Sequence, residues 1–384
     1  MEDTFVFPGE RIVAISSPVP IGGAKIAPRD ALAMLCGSTD WHQISYSRPP
    51  NASTHRPEHS DATDLQNFEV LFARDALITA RFVFDEFPEL TTLTVRALAK
   101  LQGRRWDALS EEEPGRIPHE VRHPDDPIAV RISESNGWRW PYYGAIDTTP
   151  MFIGAIASLW RSGRDVVEWS AAIGSAAQWL LRRLTDGHGL LVSQPANPKG
   201  IENQVWKDSW DAFSFADGHI ARPPIASVDV QAAAYDACLD AADLLTHMHE
   251  FRTVAEQLRH AAGVLQQLVV EAFWTSDEGG TFPAIALQWA GSRGAWRQLS
   301  VRASNMGHLL YSRLLDARDF ADRRDDIALA LSSPSLLCGA GIRTLAASEQ
   351  RYRPFAYHNG TSWPWDTTIA ALGLARHGYT ALRI

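Results

Sequence analysis

The sequence predicts an all-α fold of paired helices, and three observations lead there. From residue 65 onward apolar residues recur at helical spacing, strand-like runs are few, and the stretches between helices are long, polar and rich in aromatics. With 384 residues, 45% hydrophobic and 21% charged, the chain can bury a large core. A ring of helical hairpins accommodates loops of such unequal length at one of its ends, so a toroid with long loops gathered at one end is expected. No fixed repeat period runs through the chain.

The elements follow in order. Residues 1–64 read as an irregular N-terminal segment packed on a helical domain spanning 65–384, with a candidate helix at 27–37 and a polar loop at 45–64. Leu65, Phe68, Leu71 and Phe72 lead into Leu77, Ile78 and Phe82 as a first helix. Pro88 opens a second near its N1 position, and Gly103 closes it. After an irregular stretch at 104–145, helices are expected at 147–162 and 165–184, where Asp165 reads as an N-cap and Gly187 as a stop. A second irregular segment, 186–226, precedes helices at 227–247, 250–274, 302–316, 319–331 and 365–378. Short hairpin arms are expected at 189–193 and 280–284.

Composition removes several functional classes. The net charge of −9 argues against a broad nucleic-acid-binding face. Cys36, Cys238 and Cys338 are scattered and odd in number, as expected of free thiols in a reducing compartment. The acidic start lacks the pattern of a secretory signal, and no apolar run approaches about 18 residues, so a cytoplasmic protein without membrane partners is expected; its oligomeric state stays open. The outlier is 14 tryptophans, which suit either core packing or stacking on sugar rings.

Five constellations could carry chemistry. His119, Glu120 and His123 form a literal H-E-x-x-H, but Pro118 and Pro124 leave little more than one helical turn for it, so no metal or other cofactor is expected; His119 and Glu120 read as loop residues contacting neighbours or a ligand. Trp206, Lys207, Asp208, Ser209, Trp210 and Asp211 place two carboxylates between two indoles. Apolar walls raise a carboxyl pKa, as a general acid requires, while a lysine keeps a neighbouring carboxylate ionised. Both Asp208 and Asp211 qualify as that acid, and a helix cap with a salt bridge is the bland alternative. Arg74 and Asp75 stand among apolar neighbours as an ion pair or a polar pocket. Trp140, Tyr142 and Tyr143 lead to Asp147, either a cap or part of a sugar subsite. Last, Glu349 precedes a loop with His358, Asn359, Trp363, Trp365 and Asp366 that enters the final helix.

These segments, with Gly115–Arg122, Asn203–Asp211 (including Gln204) and Ser304–His308, occur in one order across residues 65–378. Together they resemble the bacterial amylo-α-1,6-glucosidase-like glycoside hydrolases, relatives of the debranching-enzyme glucosidase domain, glucoamylase, trehalase and the processing α-glucosidases. The resemblance implies an (α/α)6 toroid and metal-free, inverting hydrolysis of an α-glycosidic bond. An α-glucosidase releasing a non-reducing-end sugar from an oligosaccharide or small glucoside is expected. Arg74 and Asp75 match the pair that holds hydroxyls of the terminal sugar. Asp211 falls on the general acid and Glu349 on the base, with Asp366 as the second choice. Two departures stand out: 64 residues cannot supply the N-terminal β-sandwich common in that family, and the chain stops where relatives continue, so the ring is expected to be short of a helix, closed by residues 26–37, or completed by a partner. A phosphorolytic enzyme or epimerase on the same scaffold and a silent sugar-binding protein are the competing readings.

Overall fold

A computed structural model describes residues 70–379 apart from 124, 249–251 and 292–293. The expected N-terminal segment 1–64, with its helix at 27–37 and Cys36, lies outside the described residues. Those residues form ten α-helices: α1 Ala73–Phe82, α2 Pro88–Leu101, α3 Pro127–Asn136, α4 Thr148–Arg161, α5 Ser170–Asp186, α6 Val228–His247, α7 Arg252–Ala272, α8 Gly307–Tyr311, α9 Ala321–Ser332 and α10 Pro364–Arg376.

Two layers emerge from the packing. α1, α4, α6, α8 and α10 each pack on the next, and α2, α5, α7 and α9 back them from outside. The sequences say which layer each helix joins. On α7 the buried residues Ala255, Leu258, Ala262, Leu265 and Val269 step by three and four along one stripe, which suits an outer helix with a wet face. On α6 burial runs all round and takes in Asp229, Gln231 and Asp240, as an inner helix requires. α8 and α10 approach closely because a Cβ at Gly307 would sit 2.5 Å from that of Ala370, and one at Gly373 would strike the backbone of Leu310 and Tyr311.

Helix starts follow local chemistry. Proline occupies the first turn of α2, α3 and α10, where a missing N–H costs nothing. Asp126 caps α3 by accepting from the Ile128 and Ala129 amides, and Gly137 ends it in the left-handed region at φ 69°. Asp165 is not the N-cap of a helix but accepts from the Val167 amide just ahead of a 3-10 turn, Val167–Trp169, that leads into α5. The continuous helix expected over 302–316 is broken instead. Ser304–Met306 and Arg313–Leu315 are 3-10 turns, and Ser312 between them is extended, its hydroxyl accepting from the Leu314 amide.

The all-α expectation is corrected by nine short strands. β1 (Leu71–Phe72) pairs β2 (Glu120–Val121) antiparallel, with Leu71 opposite Val121 and Phe72 opposite Glu120. β3 (Ile225–Ser227), β6 (Ala286–Trp289) and β7 (Trp296–Leu299) form a three-stranded antiparallel sheet, in the order β3-β6-β7. β4 (Trp274–Asp277) with β5 (Gly280–Pro283) and β8 (Leu337–Cys338) with β9 (Gly341–Ile342) are hairpins. The arm expected at 280–284 is β5; of 189–193 only Ser193 pairs, in a single bridge to Ile225. These ladders satisfy backbone groups of loops that lie partly buried on the helix ends.

The consequence for function is directional. The inner helices present their N-terminal ends together: Arg74 and Asp75 on α1, Asp147 before α4, Asp229 on α6, His308 on α8 and Asp366 on α10. The long loops 103–126, 187–224 and 333–363 attach at that end.

Candidate active site

Arg74 organises the site. Its Nε donates to Asp147 Oδ2 at 2.8 Å and its Nη2 to Oδ1 at 3.0 Å, a buried two-point pair that leaves Asp147 no capping bond to its own helix. Asp208 Oδ2 lies 3.9 Å from Arg74 Nη1, with 31% of its side chain exposed. Burial would weaken the charge on Arg74, but Asp147 and Asp208 outweigh it. For Asp208 the sign is opposite. Burial pushes its carboxyl up to about 6; Arg74 pulls it down, and Asp147 and Asp75 add to the rise. Asp75, the next residue, is exposed, its carboxyl also raised, by burial among its neighbours against the pull of Arg74.

The walls come from two segments. Strand β2 carries buried Glu120, which pairs with Arg122 and whose carboxyl burial raises. His119 precedes it, buried edge-on against Phe72 and Tyr142. Burial, then Arg74 and Arg116, hold His119 well below the usual imidazole range, so it stands neutral. Residues 120–121 being a strand, His119 and His123 share no helix; His119 is buried while His123 is 74% exposed. Tyr357, more than half exposed, stands near Asp208 and Asp75. Burial raises its phenol, with Asp208 and Asp75 as its acidic neighbours.

Beneath Asp208 lies a buried polar layer. Lys207 is fully buried and its Nζ donates to Thr344 O at 2.6 Å, 4.9 Å over the Trp206 ring. Burial lowers its ammonium to about 8, against Asp366 and Asp229, which support the charge. Asp366 Oδ1 is 2.7 Å from His308 Nε2. Asp229 accepts from Ser227 Oγ and, at 2.8 Å, from Asn305 Nδ2. Trp206 is framed edge-on by His358, Trp363 and Trp365. Trp206 Nε1, Asn305 Oδ1 and Asp366 Oδ2 are buried without a hydrogen-bond partner among the described residues.

Not every expected residue joins this cluster. Asp211 Oδ2 lies 3.4 Å from Arg351 Nη2, whereas its neighbour Asp208 lies beside Arg74. Glu349 Oε1 accepts from the Arg302 amide at 2.9 Å; its charged neighbours are Asp277 and Arg302, whereas those of Asp208 are Arg74, Asp147 and Asp75. Gln204 serves the scaffold, accepting from Arg116 Nη2 at 2.7 Å. So do Tyr142, whose hydroxyl accepts from the Ile201 amide, and Tyr143, whose hydroxyl donates to Leu101 O. Asn359 donates to Asp211 O, and buried His358 meets Ser209. Trp363 is tied to Tyr357 O through Nε1, and Trp365 packs edge-on against His308. Trp210 is 62% exposed at the rim. Sequence reasoning missed Asp229, Thr344 and Tyr357 as site residues; none stands out by type or spacing.

Comparison with known proteins places this geometry. The family model described as the mannosylglycerate hydrolase MGH1-like glycoside hydrolase domain matches residues 112–383. The chain belongs to that family. It is a glycoside hydrolase of the six-hairpin type, at work in carbohydrate metabolism on a carbohydrate substrate. The match is to the mannosylglycerate hydrolase branch rather than to the amylo-α-1,6-glucosidase branch that the motifs resemble. Among solved structures it is similar in fold to the GH63 mannosylglycerate hydrolase of Thermus thermophilus. Against the Tris complex the TM-score is 0.51 at 14% identity, over 82% of this chain and 83% of that one. Against the complex with Tris and D-glycerate it is 0.53 at 14% identity, over 83% and 84%. Comparison with curated proteins finds no significant match.

Proposed function

We propose that the protein hydrolyses an α-glycosidic bond at the non-reducing end of a small glycoside, with inversion. The released sugar is glucose or its C2 epimer mannose, and the leaving group is a short polar aglycone such as glycerate. Family membership and the D-glycerate complex of the similar Thermus protein support the substrate class; the motif resemblance supports α-linkage and inversion.

The observation that carries the reading is Asp208 beside the Arg74–Asp147 pair. A carboxyl near 6 is substantially protonated in mildly acidic solution and can give its proton to the glycosidic oxygen as the bond breaks. Arg74, fixed by Asp147, and Asp75, exposed next to it, would take hydroxyls of the sugar. Glu349 is kept as the base: the Arg302 amide holds Oε1, leaving Oε2 to take a proton from water. Inversion requires about 6.5–9.5 Å between the two carboxyls in the working enzyme. The acid must be protonated and the base ionised. Activity therefore falls as pH rises through about 6, and falls again as pH drops through the carboxyl of Glu349, which burial raises.

The test is Asp208→Asn on two substrates. Turnover of a glycoside with a poor leaving group drops about 10²–10⁴-fold, while a glycosyl fluoride, whose departure needs no proton donor, is still hydrolysed. NMR of the first-formed anomer reports inversion. An unchanged rate for Asp208→Asn on the poor leaving group, or a retained anomer, ends this reading; if Asp211→Asn shows the selective loss instead, the acid is Asp211.

A further inference from the structure

Both residues flanking Asp208 are tied to one loop. On one side Lys207 Nζ donates to Thr344 O at 2.6 Å. On the other, Ser209 Oγ is 2.8 Å from His358 Nδ1, and the Ser209 amide donates to the same nitrogen at 3.3 Å. Thr344 is itself a junction. Its amide donates to Thr361 O, its hydroxyl accepts from the Gly360 amide, and its carbonyl also receives the Ser304 amide. From these contacts we infer that Lys207 and the Ser209–His358 pair form a two-point clasp that positions the Asp208 carboxyl against Arg74. This rests on Asp208 being the acid. Lys207 and Ser209 are positioning residues: they reach the substrate only through Asp208.

The choice of residue supports a role for the charge. The chain has four lysines among its 36 basic residues, and this one is fully buried. Burying an ammonium is costly, and packing alone would be served as well by an apolar side chain of similar size. A lysine offers a compact point charge where a guanidinium needs room for a planar fork. The groups facing it are Asp366 from α10, Asp229 from α6 and the His358 ring from the loop, with His308 held on the far side of Asp366. His358 has its imidazole driven down to about 3 by burial, by Lys207 and by Arg74, so it stays neutral while Lys207 is charged. Its Nδ1 then accepts from Ser209. The ammonium, titrating near 8, loses its attraction to the two carboxylates at alkaline pH, and the clasp loosens.

Lysine labelled with ¹³C at Cε tests the ionisation without reference to catalysis, because four signals are expected and Lys207→Arg removes the one of interest. Its expected midpoint is near 8; a midpoint in the ordinary lysine range, about 10.4, overturns the electrostatic half. Kinetics test the positioning half. In the wild-type protein log kcat/KM against pH should steepen from slope −1 to −2 above about 8, and Lys207→Arg should remove that steepening. Lys207→Met and Ser209→Ala should each lower kcat at least 10-fold with KM within twofold. Ser209→Ala removes a single hydroxyl and guards against Lys207→Met failing to fold. Wild-type kcat in both variants overturns the clasp. If the wild-type protein cleaves no glycoside, the functional reading fails, and the lysine midpoint still decides the state of Lys207.

Discussion

The two ends of the inner helices use the same residue types in opposite ways. At the end away from the site, Arg161 and Arg313 meet Asp240, Arg313 also meets Asp236, and Arg376 meets Asp316. Two guanidiniums there face two carboxylates within one cluster, and the charge closes. At the site end Arg74 faces Asp147, Asp208 and Asp75. Its two-point pair is already taken by Asp147, so Asp208 receives part of a positive charge while burial and two like charges act against its ionisation. Balanced pairing makes a strut; one cation shared among three carboxyls leaves a carboxyl whose ionisation is disfavoured. Burial raises Asp236 as well, with Arg313 pulling against it and Asp240 adding to the rise, so a raised carboxyl alone does not mark a functional site.

The sharpest way to break that comparison is to change the balance at the site end. Asp147→Asn removes one negative neighbour of Asp208 and frees Arg74, and both effects lower the Asp208 carboxyl. The alkaline fall in kcat/KM should move to lower pH. Stability should drop by about 3–5 kcal/mol, because a buried guanidinium loses its partner; a pH–rate profile and urea denaturation read the two. An unmoved profile would mean that the surplus of negative charge does not set the acid.

The matched change at the other end should affect stability alone. Arg313 is about one-third exposed, so its ion pairs are partly screened by solvent, and Arg313→Gln should cost about 1–2 kcal/mol with kcat/KM and its pH profile unchanged. A shifted profile would show that the two ends communicate. The smallest effect belongs to the rim. Trp210→Ala should change stability by less than about 0.5 kcal/mol, since the indole is mostly exposed. It should raise KM a few-fold for aglycones able to stack on an indole and leave kcat alone. Equal KM values across aglycones would remove Trp210 from substrate contact.

Much of the architecture was legible because it depends on neighbours in the chain. Pro88 announced its helix, Asp165 a helix start that is a 3-10 turn leading into α5, and the helices expected at 250–274 and 365–378 are α7 and α10. The strands were not legible: β1 and β2 are two residues each and exist because distant loops must pair their backbones. Of the site, the Trp206–Asp211 segment stood out by density of chemistry, yet Asp208 and Asp211 could not be separated. Which carboxylate faces Arg74 depends on contacts of their neighbours with Thr344 and His358, more than 130 positions away. Asp147 read equally well as a helix cap, and its partner lies 73 residues upstream.

Residue type and short-range order alone settled that this chain forms amphipathic helices separated by aromatic, acidic loops, since helix propensity, capping and periodicity act over a few residues. Only tertiary packing decided which loops meet, which carboxyl keeps its proton and which lysine is buried. Those outcomes rest on desolvation and Coulomb terms summed over side chains from several helices, and such sums exist only once distant segments are within a few ångströms of one another.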